Sequence, residues 1–128
     1  MADAPLLVER RETTALVTLN RPEKQNALSL DLLRRLETLV RELGDDDTVR
    51  VIVLRGNERC FSAGVDLDDL REVTAVADTQ RALGVARDAN AAIERCPKPV
   101  IAAIAGWCLT GGLELALEIG RASCRERV

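Results

Sequence analysis

The chain has 128 residues, which is enough for one domain with a hydrophobic core and too few for two. Lysine and arginine number 18 against 21 aspartate and glutamate, and the net charge of −3 argues against a broadly basic surface for nucleic acid or anionic membranes. Hydrophobic residues make up 47% and charged residues 30%, which excludes wholesale disorder and is typical of a soluble chain. No apolar run could span a bilayer and the first residues contain no signal or transit peptide, so we expect a cytoplasmic protein without membrane or nucleic-acid partners.

Histidine and tyrosine are both absent, which limits the chemistry that the chain can perform. The absence of histidine excludes Ser-His-Asp and Cys-His catalysis and any metal site built on imidazole. The four cysteines show no C-x-x-C spacing, so we expect no metal site. We interpret three of them as small buried hydrophobic residues and the fourth, Cys124, as part of a tail. Acid–base chemistry is therefore left to aspartate, glutamate and lysine.

In the first half of the chain, the apolar pattern predicts two short strands, a helix and a buried strand. Residues 6–8 and 15–19 are apolar runs on either side of a polar turn, which favours two strands. Ser29 is a good N-cap, and leucines at helical spacing follow it up to Gly44, a typical C-terminal stop. Residues 49–55 contain a continuous apolar run and are predicted to form a buried strand.

The second half of the chain predicts two helices, another buried strand and a last helix. Asp66 is a candidate cap for a short helix that begins near Leu67, and a longer helix follows over about residues 78–95. Residues 100–104 form a second continuous apolar run, and the last helix is predicted over about residues 113–117. This order of strands and helices predicts an α/β fold with right-handed crossovers.

The apolar runs also predict the core. Six residues are expected to be buried on neighbouring parallel strands: Val51, Val53, Leu54, Val100, Ile101 and Ile104. Three residues of the first long helix are expected to cover one face of that sheet: Leu36, Leu39 and Leu43.

Residues 118–128 differ from the rest of the chain. No apolar periodicity continues beyond Gly120, and residues 121–128 carry a net charge of +2. The segment is similar to the in-frame translation of a common sequencing-library adapter. We therefore expect residues 1–117 to form the domain and residues 118–128 to be a non-native tail, loosely attached and mostly exposed from Arg121 onward. A natural basic tail is the alternative.

Three segments together resemble one protein family. The first is Asn20-Arg21-Pro22 followed by Asn26-Ala27-Leu28, and the second runs from Cys60 to Leu67. The third runs from Pro97 to Gly106 and continues into Thr110-Gly111-Gly112-Leu113-Glu114. In this order and spacing they resemble the enoyl-CoA hydratase/isomerase (crotonase) family, over about Leu6 to Leu117. The resemblance implies a crotonase-like ββα spiral, truncated because family members are longer, with residues 1–117 as its N-terminal part.

The resemblance also implies an oxyanion hole and an acid–base residue. It assigns the two donors to the backbone amides of Val65 and Gly111, which would stabilise the negative charge that develops on a thioester carbonyl. It assigns the acid–base role to Glu114. Three residues are expected to form an apolar wall around this carboxylate: Trp107, Leu109 and Leu113. The alternatives are a strand-to-helix turn capped by Asp66, a phosphate-binding or merely tight turn at Gly111, and an exposed helical glutamate.

The same resemblance places seven residues in contact with the acyl-CoA: Lys24, Ala27, Leu28, Ala63, Val65, Asp66 and Leu67. Lys24 is a candidate partner for a CoA phosphate, although a solvated loop lysine agrees with the sequence equally well. Asp68 departs from family members that carry lysine at this position, and Thr110 replaces the commoner glycine.

The implied function is the hydration of a 2-enoyl-CoA, with coenzyme A as part of the substrate and no separate cofactor. The full-length parent is expected to be a homotrimer or a dimer of trimers. The chain as given is expected to be inactive, because the family's second catalytic glutamate lies further along the chain. It is also expected to be poorly folded, because its apolar faces would lie open without the rest of the spiral. Isomerisation, thioester hydrolysis and ring closure remain open on the same scaffold, as does a non-catalytic acyl-CoA-binding or RNA-binding member.

Overall fold

A computed structural model describes residues 4–125, with the side chains of residues 4–120. The elements in chain order are strands β1 (Leu6–Arg11) and β2 (Thr14–Leu19), a 3₁₀ helix (Pro22–Lys24), helix α1 (Leu30–Gly44), strands β3 (Val51–Arg55) and β4 (Cys60–Ser62), helices α2 (Leu67–Arg71) and α3 (Val76–Arg95), strands β5 (Val100–Ala103) and β6 (Trp107–Cys108), and helix α4 (Gly111–Arg125). The predicted α/β class is confirmed.

Two sheets organise the described residues. The larger has the strand order β1-β2-β3-β5, in which β1 and β2 form an antiparallel hairpin and β2, β3 and β5 run parallel. Helix α1 connects β2 to β3, and α2 and α3 lie in the connection from β3 to β5. The smaller sheet pairs β4 with β6 in parallel, and each of these strands leads directly into a loop that carries candidate site residues.

The core lies on one face of the larger sheet. Side chains from alternate positions of β2 and β3 are buried there against α1 and α3, and β5 adds Val100. Leu36 and Leu43 of α1 are buried as predicted, and Leu39 is half-buried. Strands β2 and β3 therefore each bury one set of side chains, while the other set is half-buried.

The core prediction is only partly confirmed. Leu54 and Val100 are buried, whereas Val51 and Val53 are half-buried. The predicted burial of Ile101 and Ile104 is wrong, since these side chains are 50% and 48% exposed. The physical reason is that the helices cover one face of the sheet, so that the opposite side of β5 stays open, and Ile104 lies beyond the end of that strand.

The helix boundaries follow from their caps. Ser29 Oγ accepts a hydrogen bond from the Leu32 amide at 3.1 Å and begins α1, as predicted. Beyond the C-terminal end of α1, Lys98 Nζ donates to the carbonyls of Leu43, Asp46 and Val49. Cations near the last carbonyls of a helix interact favourably with its dipole.

Helix α4 is longer than the sequence predicts. The expected end near Leu117 is wrong, because the helix continues to Arg125 with Leu115 and Ile119 buried one turn apart. The predicted exposure of residues 121–128 and the position of Cys124 lie outside the residues whose side chains are described. None of the described helices is both long and apolar enough to cross a bilayer.

Candidate active site

The loop after β4 fixes the conformation of Val65. Gly64 has a φ of +106°, a region that residues with a Cβ rarely adopt. The Gly64 carbonyl accepts a hydrogen bond from the Leu28 amide at 2.7 Å, and the Asp66 amide donates to the Leu28 carbonyl at 3.3 Å. Val65 is thus held between two anchored neighbours.

The loop after β6 brings the start of α4 against this first loop. Thr110 Oγ1 donates to the Ala63 carbonyl at 3.2 Å. A Cβ placed on Gly111 would lie 3.5 Å from the Val65 nitrogen, and one placed on Gly64 would lie 3.1 Å from the Gly111 nitrogen. Within the described part of the chain, neither the Val65 amide nor the Gly111 amide donates a hydrogen bond. Two free N–H groups therefore lie side by side.

Val65, Gly111 and Glu114 line one cavity of about 250 Å³. Its walls are mainly apolar and come from α1, α2, α3 and α4. The principal apolar residues are Leu28, Leu33, Leu70, Leu83, Ala86 and Leu115. The expected wall of Trp107, Leu109 and Leu113 does not line this cavity, and all three side chains are exposed. Glu114 itself is exposed, one turn into α4.

A second cavity, of about 650 Å³, is also lined by Val65. Six of the seven residues predicted to contact acyl-CoA line it: Lys24, Ala27, Ala63, Val65, Asp66 and Leu67. The seventh, Leu28, lines the first cavity. Val65 borders both cavities, so the two spaces approach each other at this residue.

The charges at the second cavity centre on Asp68. Lys24 Nζ lies 3.4 Å from Asp68 Oδ2, and Arg71 Nη1 lies 3.4 Å from Asp68 Oδ1. The three side chains are exposed, and each ion pair contributes little to stability because water screens it. Both cations remain accessible to an anion that enters the cavity, and Arg71 is one that the sequence analysis missed.

Asp66 forms the buried ion pair of the site. Its carboxylate lies 2.7 Å from Arg21 Nη1 and accepts from the amides of Asp68 and Asp69, so it caps α2 as predicted. Burial alone would raise the pKa of Asp66, but the hydrogen bonds from Arg21 and the two amides outweigh it and hold the pKa below its usual value. The carboxylate is thus charged and fully engaged, and it holds α2 directly after Val65.

Other residues of the site escaped the sequence analysis. Arg21 belongs to a motif that carries the family resemblance, yet only the fold shows that it reaches Asp66, 45 residues away. Of the five residues of α3 that line the first cavity, three recur at four-residue spacing: Ala82, Ala86 and Asn90. This spacing is a helical stripe, which the sequence could have revealed.

The interpretation of three cysteines as buried hydrophobic residues is confirmed only for Cys60. Cys60 is buried, and Cys96 and Cys108 are half-buried. Burial raises the pKa of the Cys60 and Cys108 thiols, which disfavours the nucleophilic thiolate.

Comparisons with known proteins bear on the family and the fold of the chain. A sequence profile of the enoyl-CoA hydratase/isomerase family matches residues 9–119. A Bacillus subtilis (strain 168) protein, provisionally named enoyl-CoA hydratase/isomerase YngF, is 40% identical over 118 residues, which are 91% of this chain and 45% of the relative. The 2,3-dehydroadipyl-CoA hydratase of Escherichia coli (strain K12) is 38% identical over 115 residues, covering 88% of this chain and 43% of the relative.

A solved structure gives the same result for the fold. An enoyl-CoA hydratase/carnithine racemase from Magnetospirillum magneticum superposes with a TM-score of 0.86 at 34% sequence identity, over 91% of this chain and 45% of that one. The chain thus spans less than half the length of each of these three proteins. The matched part has the crotonase fold, and the chain belongs to the enoyl-CoA hydratase/isomerase family.

Proposed function

We propose that the chain binds the thioester of a 2-enoyl-CoA and polarises its carbonyl with the amides of Val65 and Gly111. The observation that carries this proposal is the adjacency of two free N–H groups at the wall of an apolar cavity. Hydrogen-bond donors in such a site stabilise the enolate that forms when a thioester reacts at its α- or β-carbon. The first cavity would take the acyl chain, and the second, with Lys24 and Arg71, would take the CoA phosphates.

The reaction that we propose is hydration, in which the oxygen of water adds to the β-carbon and a proton adds to the α-carbon. Glu114 would orient and activate the water. Asp69 is the other described carboxylate at the cavity, but its Oδ2 accepts a hydrogen bond from the Leu30 amide at 2.8 Å. One free carboxylate cannot readily serve both carbons. We therefore propose that complete turnover needs a second acid and that the chain alone supplies thioester binding and activation.

The breadth of the family leaves isomerisation as the second candidate reaction. It uses the same polarised thioester, and the matching family covers both hydratases and isomerases. A cytoplasmic location, a trimeric parent and the absence of a separate cofactor stay predictions.

A pair of substitutions at Gly111 tests the role of the amides. Gly111→Pro removes the N–H group at the first helical position, where proline is tolerated, whereas Gly111→Ala keeps it and adds a Cβ in ordinary contact with Val65. We expect a saturated short acyl-CoA to bind up to about 10-fold more tightly than a CoA thioether of the same length, because of the hydrogen bonds to the carbonyl. Titration calorimetry should show this preference in the alanine variant and its loss in the proline variant. Equal preference in both variants would refute the proposed role.

Hydration itself is tested separately. We expect the 128-residue chain to bind a short 2-enoyl-CoA without measurable loss of the conjugated enoyl absorbance. Turnover that Glu114→Gln abolishes would support the role of Glu114 but contradict the need for a second acid. Turnover that survives Glu114→Gln would contradict both.

A further inference from the structure

Ser62 connects the two loops that carry the Val65 and Gly111 amides. It is the last residue of β4, and its side chain is completely buried. Three polar or charged residues are buried in the described part of the chain, Asn26, Ser62 and Asp66, and all three lie around the Val65 loop. Buried polar groups are held by their hydrogen bonds, because an unpaired group costs free energy away from water.

The hydroxyl group of Ser62 acts on the first loop. Ser62 Oγ donates to the Asn26 carbonyl at 2.8 Å and accepts from the Gly64 amide at 3.1 Å. Gly64 directly precedes Val65, and the Gly64 carbonyl and the Val65 N–H belong to the same peptide group. By holding Gly64, Ser62 therefore helps to fix the position of the Val65 N–H.

The backbone of Ser62 acts on the second loop. The Leu109 amide donates to the Ser62 carbonyl at 3.0 Å. Gly112 packs so closely that a Cβ there would lie 2.6 Å from the same carbonyl oxygen and 2.7 Å from Ser62 Cβ. Gly111 lies between these two points of contact, so the position of its amide also depends on Ser62.

We propose that Ser62 is a positioning residue that sets the separation of the Val65 and Gly111 amides, and with it the polarisation of a bound thioester carbonyl. This inference rests on the proposed function. Ser62 lines neither of the two cavities described above, so it acts on the substrate through the amides. A residue that only stabilised the fold would change the unfolding free energy and leave the bound carbonyl as it was.

The test uses ¹³C NMR of the 128-residue chain, with a saturated short acyl-CoA labelled at its thioester carbonyl. The saturated acyl group cannot be hydrated, so the resonance reports polarisation alone. Ser62→Ala removes the hydroxyl group, and Gly112→Ala pushes the start of α4 away from Ser62 while adding a residue of higher helix propensity. Val40→Ala is the control, since it creates a cavity in the core on α1, outside both loops.

We expect the unmodified chain and Val40→Ala to move the carbonyl resonance downfield by the same amount. Ser62→Ala and Gly112→Ala should each reduce that displacement to less than half, while binding of a CoA thioether changes less than twofold. An undiminished displacement in either variant, in a chain that still unfolds cooperatively, would overturn the role of Ser62. If Ser62→Ala does not fold, Gly112→Ala decides the question. No displacement in the unmodified chain would instead overturn the proposed function, and this inference with it.

Discussion

Gly64 positions Val65 because it adopts a positive φ, a backbone conformation that residues with a Cβ rarely adopt. Its φ of +106° is accompanied by close packing, because a Cβ would overlap Thr110 Oγ1. Glycine is therefore required both by conformation and by the contact between the two loops.

Substitution of this glycine gives the first prediction. We expect Gly64→Ala to lower the unfolding free energy by about 2 kcal/mol or more, from backbone strain and the overlap with Thr110. Gly84→Ala is the matched control, since Gly84 lies within α3 with room for a Cβ, and it should raise stability by up to about 1 kcal/mol. Urea unfolding of both variants measures the difference. Two effects of the same sign would contradict the conformation assigned to Gly64.

The Arg21–Asp66 pair gives a prediction that depends on pH. Asp66→Asn should lower the unfolding free energy by about 3 kcal/mol at neutral pH, because the partly buried Arg21 guanidinium loses its charged partner and keeps the Ala27 carbonyl as an acceptor. The folded chain holds the pKa of Asp66 below the ordinary aspartate value of 3.8. The pair thus stabilises the chain above that pH, and its contribution is lost as the pH falls through the folded pKa.

Urea unfolding between neutral pH and about pH 2 measures this contribution. The difference between the unmodified chain and Asp66→Asn should shrink towards the acid end of the range. Because all other acids are common to the two proteins, their titration cancels in the comparison. A difference that stays constant with pH would show that ionised Asp66 does not stabilise the fold through this pair.

At the scale of single elements, the sequence predicts helix boundaries well, because capping residues and apolar spacing determine them locally. The capping hydroxyl of Ser29, the leucine spacing and Gly44 locate α1, and Asp66 locates the start of α2. The burial of Ile101 depends instead on which face of the sheet the helices cover, and no local pattern contains that information.

The residues of the candidate site divide in the same way, into those that a sequence motif identifies and those whose roles depend on tertiary contacts. The family resemblance implies that Val65, Gly111 and Glu114 belong together, and all three line one cavity of the structure. Arg21 and Ser62 could not be assigned roles from the sequence, because their functions depend on contacts with distant residues and on burial.

Helix α4 allows a prediction at this scale, because it buries side chains both before and after Leu117, where the sequence predicts that the domain ends. Ile119 is 3% exposed in the core, whereas Leu117 is 62% exposed. Ile119→Ala should therefore cost about 3 kcal/mol of unfolding free energy, and Leu117→Ala should change it by no more than about 0.5 kcal/mol. Chemical denaturation of the two variants tests whether the chain packs beyond residue 117. Equally small effects would support a tail that begins at residue 118.

At the scale of the whole molecule, apolar side chains from β5 to α4 are exposed. Six of them are between 44% and 65% exposed: Ile101, Ile104, Trp107, Leu109, Leu113 and Leu117. Large exposed apolar patches favour association. We therefore expect these exposed apolar side chains to cause self-association of the chain in solution.

Sedimentation velocity tests this expectation. The unmodified chain should self-associate with increasing concentration, and replacement of Trp107 and Leu117 by glutamine should shift it towards the monomer. The unfolding free energy should change little, since both side chains are more than half exposed. A chain that stays monomeric at every concentration before substitution would contradict the prediction.

The central claim is that the Val65 and Gly111 amides polarise a bound thioester, and the carbonyl resonance of a saturated ¹³C-labelled acyl-CoA on the unmodified chain tests it most directly. Two hydrogen bonds to one oxygen withdraw electron density from the carbonyl carbon. At saturation, the resonance should lie downfield of that of free acyl-CoA and return towards it in Gly111→Pro but not in Gly111→Ala. A saturated complex whose carbonyl resonance equals that of the free thioester would contradict the claim.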